Sequence, residues 1–273
     1  MITKRKLFNT VSDMFIGVTG LNRPIQLYRA FFARIDARKQ INVRGSDLLF
    51  DANEELHLLR ANILNTKEPE TLDWIDGFEQ GSVFFDIGAN IGVFSLYAAV
   101  KRGCSVVAFE PESQNYACLN KNIYLNGLSE KITALNVGLH DRVAIDYLNL
   151  GAMESGAANH SIGESIDWRG DSYCPEFKQA VLTYSLDCLL EKFQLSFPAH
   201  IKIDVDGNEL RILEGAAETL KNNSLRSVLI EMRENNGDLI RHFTEAGMRL
   251  SETHRAKMQG EDDDLVNAIF VRD

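Results

Sequence analysis

Four acids, Asp86, Glu110, Asp204 and Glu231, each close a short apolar run of the chain. The runs VFFD, SVVAFE, HIKID and SVLIE suit buried parallel strands. Ligands in open α/β sheets bind beyond the carboxyl ends of such strands, so the four carboxylates predict one acidic rim around a ligand site. Directly after Asp86 comes a turn, Gly88-Ala89-Asn90-Ile91-Gly92, and Val93, Leu96, Tyr97 and Val100 then recur at helical spacing. Residues without Cβ let the backbone bend sharply and approach a ligand at the positive end of the helix dipole. That geometry assigns Asp86, Gly88, Ala89, Asn90 and Gly92 to a nucleotide-like ligand or a carboxylate. Glu110-Pro111 follows about 20 residues later, where an acid accepts both ribose hydroxyls. The glycines alone are a weak signal; with Glu110 they point to an adenosine moiety.

The elements that must position these groups are read from periodicity. Strands are predicted over 83–85, 105–109, 132–137, 199–205 and 227–232, with helices over 112–125, 186–193 and 238–246. The closing segments, 248–253 and 267–271, predict a hairpin at the end of the sheet. Gly138 lets an adenine ring lie against the backbone, with Asn136 as a polar contact. Pro69 suits the first turn of a helix leading into the first core strand, which places Glu68, Glu70 and Thr71 near the ligand's amino-acid end; solvated helix-start carboxylates are the plainer account. Segments 143–149 and 181–185 alternate like edge strands. Between them residues 151–180, rich in Gly, Ser and Ala, read as a long loop over the acceptor that carries His160, Trp168, Arg169 and Tyr173.

At 273 residues the chain holds one full core with an added lobe. Residues 1–66 are assigned to a basic, amphipathic, helical arm or cap and 67–273 to the ligand-binding domain. Residues 1–45 carry nine Lys or Arg against Asp13 and Asp36, a net +7 inside a chain of −10, which leaves −17 for the rest. An acidic body argues against nucleic acid as a partner. The arm reads first as a cap or homodimer surface, and second as a peripheral contact with an anionic membrane face. Cys104, Cys118, Cys174 and Cys188 show neither a CxxC pair nor a His at ligand spacing, so neither zinc nor disulfides are predicted and a cytoplasmic setting is the default. No run is long enough to span a bilayer.

With these residues in place, FFDIGANIGVFSLYAA, VVAFEPE, NKNIYLNGL, SLDCLL and IKIDVDGNELRILEGA resemble, in order, the motifs of the FkbM family of S-adenosylmethionine-dependent methyltransferases. The likeness runs from about residue 68 to 271 and implies a Rossmann-like class I methyltransferase fold: a mostly parallel sheet ending in an antiparallel hairpin. It also implies O-methylation of a hydroxyl on a sugar, glycan or related natural product. Two positions depart from the family pattern, Asp206 where Glu is usual and Asn208 where a small residue is usual, and both bear on substrate placement. A neutral alcohol must lose its proton during transfer, which makes Asp204, His160 and Asp206 candidate bases. Lys202, unusual in an apolar strand, either orients the acceptor oxygen or forms a structural pair with Asp86 or Glu231. Magnesium held by Asp204, Asp206 and Glu231 is an unexpected variant that merits a test. Further alternatives are an RNA ribose methyltransferase, a nicotinamide-binding oxidoreductase, disfavoured by the missing GxGxxG, and a cofactor-binding module without catalysis.

Overall fold

The computed structural model describes residues 37–151, 156, 160–163, 165, 172–255 and 264–272. The first 36 residues, the larger part of the predicted basic arm, and Trp168 and Arg169 lie outside the described residues.

The chain opens on a hairpin of β1 (Arg38–Val43) and β2 (Ser46–Asp51), followed by helices α1 (Glu55–Lys67) and α2 (Pro69–Asp76). A repeating unit then begins: β3 (Val83–Ile87), α3 (Val93–Arg102), β4 (Ser105–Phe109), α4 (Ser113–Leu125) and β5 (Ile132–Leu135). Strands β6 (Gly138–Leu139), β7 (Ala144–Leu150), β8 (His160–Ile162) and β9 (Phe177–Tyr184) form a separate sheet in the order β6-β9-β7-β8. The remainder is α5 (Leu186–Phe193), β10 (His200–Ile203), α6 (Glu209–Glu214), α7 (Ala217–Lys221), β11 (Ser227–Arg233), α8 (Gly237–Glu245), β12 (Arg249–Arg255) and β13 (Leu265–Val271).

The main sheet has the order β12-β13-β11-β10-β3-β4-β5. Strands β5, β4, β3, β10 and β11 run parallel, while β13 enters antiparallel between β11 and β12. The strand order reverses between β3 and β10, and at such a switch point the two chain crossovers leave in opposite directions and open a crevice. This is the Rossmann-like order that the resemblance implies, and the predicted last hairpin is present. Both sheet faces are covered, which explains why the strands read as continuous apolar runs rather than alternating ones. Phe85, Ile87, Ile201, Ile203, Val228 and Ile230 pack beneath α5 to α8. Phe84, Val106, Ala108 and Ile132 pack beneath the other layer with Leu64, Leu72, Leu96 and Leu119. Each such side chain contributes about 1.5–3 kcal/mol by leaving water.

Three expectations need correction. Residues 38–66 do not stand apart from the ligand-binding domain: a β-hairpin and α1 fill them, and Val43, Leu48, Phe50 and Ala61 are buried in the same core as Phe84. The boundary drawn at residue 66 therefore falls inside α1. Second, residues 151–180 are not one loop, since β8 and the first half of β9 lie within them, both paired with β7. Neither stretch carries a readable apolar alternation, because β8 is three residues long and the first half of β9 (FKQA) is largely exposed. Third, the strand predicted over 132–137 stops at Leu135, and Gly138–Leu139 pairs with β9 in the other sheet. Among the described residues no helix is long and apolar enough to cross a membrane.

Candidate active site

The switch point brings the carboxyl ends of β3, β4, β10 and β11 together, and the acids predicted from the sequence meet there. Gly88 has a φ of +81°, and a Cβ at that position would stand 1.9 Å from the Asp204 carbonyl oxygen, so only glycine lets the turn lie against β10. Gly92 also has positive φ, but a Cβ there would strike the Leu119 side chain at 2.3 Å, which makes its task the packing of α3 on α4 rather than contact with a ligand. The amide nitrogens of Gly88 and Ala89 both donate to the Phe109 carbonyl at 3.0 Å.

Two clefts flank this turn and share Arg60, Gly88, Asn90 and Asp204. The first is walled by Glu110, Pro111, Val137, Gly138, His160 and Asp206. Glu110 is buried there, accepting hydrogen bonds from Asn90 N at 2.7 Å and Glu112 N at 2.8 Å. Burial pushes its carboxyl up to about 7 despite those donors. The second cleft holds Lys67, Glu68, Ala89 and Lys202. Lys67 Nζ lies 3.1 Å from Glu68, so a positive and a negative group stand side by side.

Lys202 is 1% exposed and donates to Asp204 Oδ2 at 2.5 Å, with the Phe94 ring 4.9 Å from its Nζ. Burial lowers the affinity of this amine for its proton, but Asp204, Glu68 and Asp86 outweigh it and hold the lysine charged. It cannot serve as a base at neutral pH. Burial likewise pushes Asp204 up, yet Lys202 and Lys67 pull harder, and its carboxyl sits below the usual range. Its side chain is 32% exposed, so an ionised oxygen faces the cleft. Glu231 goes the other way: burial, then Asp204 and Glu68, drive its carboxyl well above the ordinary value. Asp86, 1% exposed, accepts from Ser95 Oγ at 2.5 Å through one oxygen, while its Oδ1 has no hydrogen-bond partner.

Several predicted site residues have other tasks. Thr71 is fully buried and donates to Glu68 at 3.3 Å, so it steadies Glu68 from behind. Asn136 spends its amide on the carbonyls of Glu110 and Pro111 at 2.8 and 3.0 Å, fixing that loop rather than an adenine. Glu70 bonds Asn267 of β13 at 2.8 Å. Tyr173 donates to the Asn149 carbonyl at 2.7 Å and so ties β7 to its neighbours by its hydroxyl. His160 lines the cleft, and its backbone N–H donates to Asp206 at 3.1 Å.

Arg60 and Lys67 were missed by sequence reasoning because their helix reads as an ordinary solvated one; only its packing against β2 and α2 turns them inward. Cys118 also gains an unforeseen neighbour, His57 Nδ1 at 3.5 Å, which in turn lies 3.0 Å from Asp51. Among the described residues this is the one trio of His, Cys, Asp or Glu whose ligand atoms lie within 4.8 Å of one another. Asp204, Asp206 and Glu231 do not converge that closely.

The residues fit S-adenosylmethionine. Glu110 presents an acid to one cleft, the Glu68–Lys67 pair matches an amino-acid zwitterion in the other, and Asp86 Oδ1 is a buried acceptor lacking a donor. If Glu110 must be ionised to receive the ribose, affinity for S-adenosylhomocysteine should rise about tenfold between pH 6 and pH 8, as a group titrating near 7 loses its proton. The ligand-free fold should lose stability over the same window. The folded carboxyl binds its proton more tightly than the unfolded one, so stability is full below the ordinary carboxylate range and falls as pH rises through 7. Glu110→Gln should flatten both profiles. Calorimetry and thermal melts at the two pH values check this, and a flat wild-type binding profile would remove Glu110 from the ribose.

Comparison with known proteins places this geometry in a family. The chain is 31% identical to methyltransferase sdnD of Sordaria araneosa over 173 residues, 56% of this chain and 66% of that protein. It is 26% identical to hexuronic acid methyltransferase AglP of Haloferax volcanii over 155 residues, 56% of this chain and 57% of that one. The matched stretch thus spans less than two thirds of either relative. Among solved structures, the FkbM methyltransferase of Methylobacillus flagellatus KT aligns with a TM-score of 0.48 at 15% identity, covering 80% of this chain and 55% of that one. The family model for the methyltransferase FkbM domain matches residues 86–253, from the acid before the glycine turn into β12. By that match, which takes in the glycine turn, Glu110 and the Lys202–Asp204 pair, the chain belongs to the FkbM methyltransferase domain family.

Proposed function

We propose that this protein transfers a methyl group from S-adenosylmethionine to a hydroxyl of a sugar or glycan. One observation carries the reading: two clefts either side of the glycine turn share Asp204, whose ionised, partly exposed carboxylate lines both the cleft that holds Glu110 and the cleft that holds the Lys67–Glu68 pair. Bound there, the cofactor supplies an electrophilic methyl carbon on a sulfonium. Asp204 accepts a hydrogen bond from the acceptor hydroxyl and takes its proton as the oxygen gains the methyl group. Lys202 holds Asp204 in place and ionised. A carboxylate of lowered basicity gives little driving force for early proton removal, so the proton leaves late, once the oxygen has become acidic through bonding. Much of the rate then comes from orienting the two reactants in a site that excludes water.

The sugar acceptor is supported by the partly apolar cleft beside His160 and by the name of the Haloferax relative. We propose in addition a cytoplasmic residence and, for the basic N-terminal arm, a homodimer contact or a peripheral contact with an anionic membrane face. The test has two stages. Calorimetry with S-adenosylhomocysteine and NAD should give binding of the first alone. Incubation with S-adenosylmethionine and a panel of nucleotide sugars, lipid-linked glycans and polysaccharides should then give, by mass spectrometry, products heavier by one CH₂. Tight NAD binding without S-adenosylhomocysteine binding would overturn the assignment.

A further inference from the structure

We infer that the acceptor carries a carboxylate and that Arg60 grips it; this rests on the sugar-methyltransfer reading above and names the substrate class within it. The site is crowded with acids, yet among the described residues three cations reach it, and two are already committed. Lys202 is paired with Asp204 at 2.5 Å and Lys67 with Glu68 at 3.1 Å. Arg60 is different. It lines both clefts, and its charge is among those that hold the Asp204 carboxyl low, so it stands at the junction where transfer takes place. Among the described residues it makes no ion pair, and its one hydrogen bond runs from Nε to the Gly156 carbonyl.

That bond fixes the plane of the guanidinium and leaves the edge formed by its two terminal nitrogens, a fork whose spacing matches the two oxygens of a carboxylate. Asp204 acts on Arg60 only through its charge and makes no direct bond with it among the described residues, so a ligand carboxylate is the partner that this fork can bind in bidentate fashion. The cofactor's own carboxylate is the competing occupant. Lys67, however, stands in the second cleft beside Glu68, where the pair meets both ends of an amino-acid zwitterion, and Lys67 is absent from the first cleft. Arg60 also lines the first cleft, which His160 and Asp206 help to wall. An acidic sugar with its carboxylate on Arg60 has its ring over that wall and a hydroxyl toward Asp204. A neutral sugar would leave the two terminal nitrogens of Arg60 without a bidentate acceptor, so the same residue favours the acidic sugar over it.

The experiment uses the full chain loaded with S-adenosylhomocysteine and titrated with methyl glucuronoside and methyl glucoside, which differ only in a carboxylate against a hydroxymethyl. The glucuronoside should bind at least tenfold more tightly. Arg60→Met should lose that preference while keeping affinity for S-adenosylhomocysteine within twofold, and Arg60→Lys should restore part of it, having the charge without the fork. Equal binding of the two glycosides to the wild type, or no binding of the glucuronoside, overturns the proposal without recourse to any variant. A parallel loss of S-adenosylhomocysteine and glucuronoside affinity in Arg60→Met overturns it too, assigning Arg60 to the cofactor tail. Methyl transfer to neutral sugars alone would sink this inference and leave the parent reading standing, whereas failure of S-adenosylhomocysteine to bind would sink the parent reading itself.

Discussion

Asp204→Asn should lower turnover by roughly 100-fold or more while leaving affinity for S-adenosylhomocysteine within a few-fold of the wild type. The substitution is nearly isosteric and keeps an oxygen beside Lys202, so the cleft retains its shape. What it removes is the negative charge that accepts the acceptor's proton. A residue that only shaped the cofactor site would change affinity instead, and single-turnover kinetics with calorimetry separate the two. His160 lines the same cleft, and His160→Ala is the matched comparison. If Asp204→Asn keeps full turnover while His160→Ala loses it, the base is the histidine. A fall in activity that added magnesium reverses would instead make Asp204 a metal ligand.

Lys202→Met should destabilise the fold by about 3–5 kcal/mol, the range for removing one member of a buried ion pair. Lys202 is fully enclosed and faces Asp204, Glu68 and Asp86 at once, so the apolar replacement fills the space but strands carboxylates that repel one another. The sign of the pH dependence follows. In the wild type, Asp204 contributes stability that is present above the ordinary carboxylate range and lost as pH falls through its depressed folded value. Without the lysine that contribution reverses, so the deficit of Lys202→Met should be largest near neutrality and shrink toward pH 5 as the acids take up protons. Denaturant melts at pH 7.5 and 5 measure it. The double variant Lys202→Met with Asp204→Asn should recover part of the loss. A single variant as stable as the wild type at pH 7.5 would show that Lys202 is not what balances these acids.

Much of this site was legible before any coordinate. Buried parallel strands are short apolar runs because both their faces are covered, and an acid closing each run marks where the strand leaves the core. That is why Asp86, Glu110, Asp204 and Glu231 could be placed on one rim, and why the glycine turn and Glu110 fell on the same crevice. Helix periodicity likewise located α3 and α4. The strand order, the placement of β13 between β11 and β12, and the joining of two clefts at Asp204 depend on contacts between distant segments. A one-dimensional pattern does not record which apolar faces meet. Roles that depend on where a polar atom points were equally hidden: Thr71 and Asn136 have suitable side chains for a ligand, but their hydrogen bonds go to Glu68 and to the Glu110–Pro111 carbonyls. Gly92 was assigned to the ligand, whereas the space a Cβ would need there is taken by Leu119, 27 residues further on in the chain. Arg60 carries no signal in its neighbourhood at all. The sequence by itself therefore determined the core strands, the acids that close them and the family; tertiary structure alone decided the strand order, which charges are paired and which face the cleft, because a pairing energy depends on distance and burial rather than on residue type.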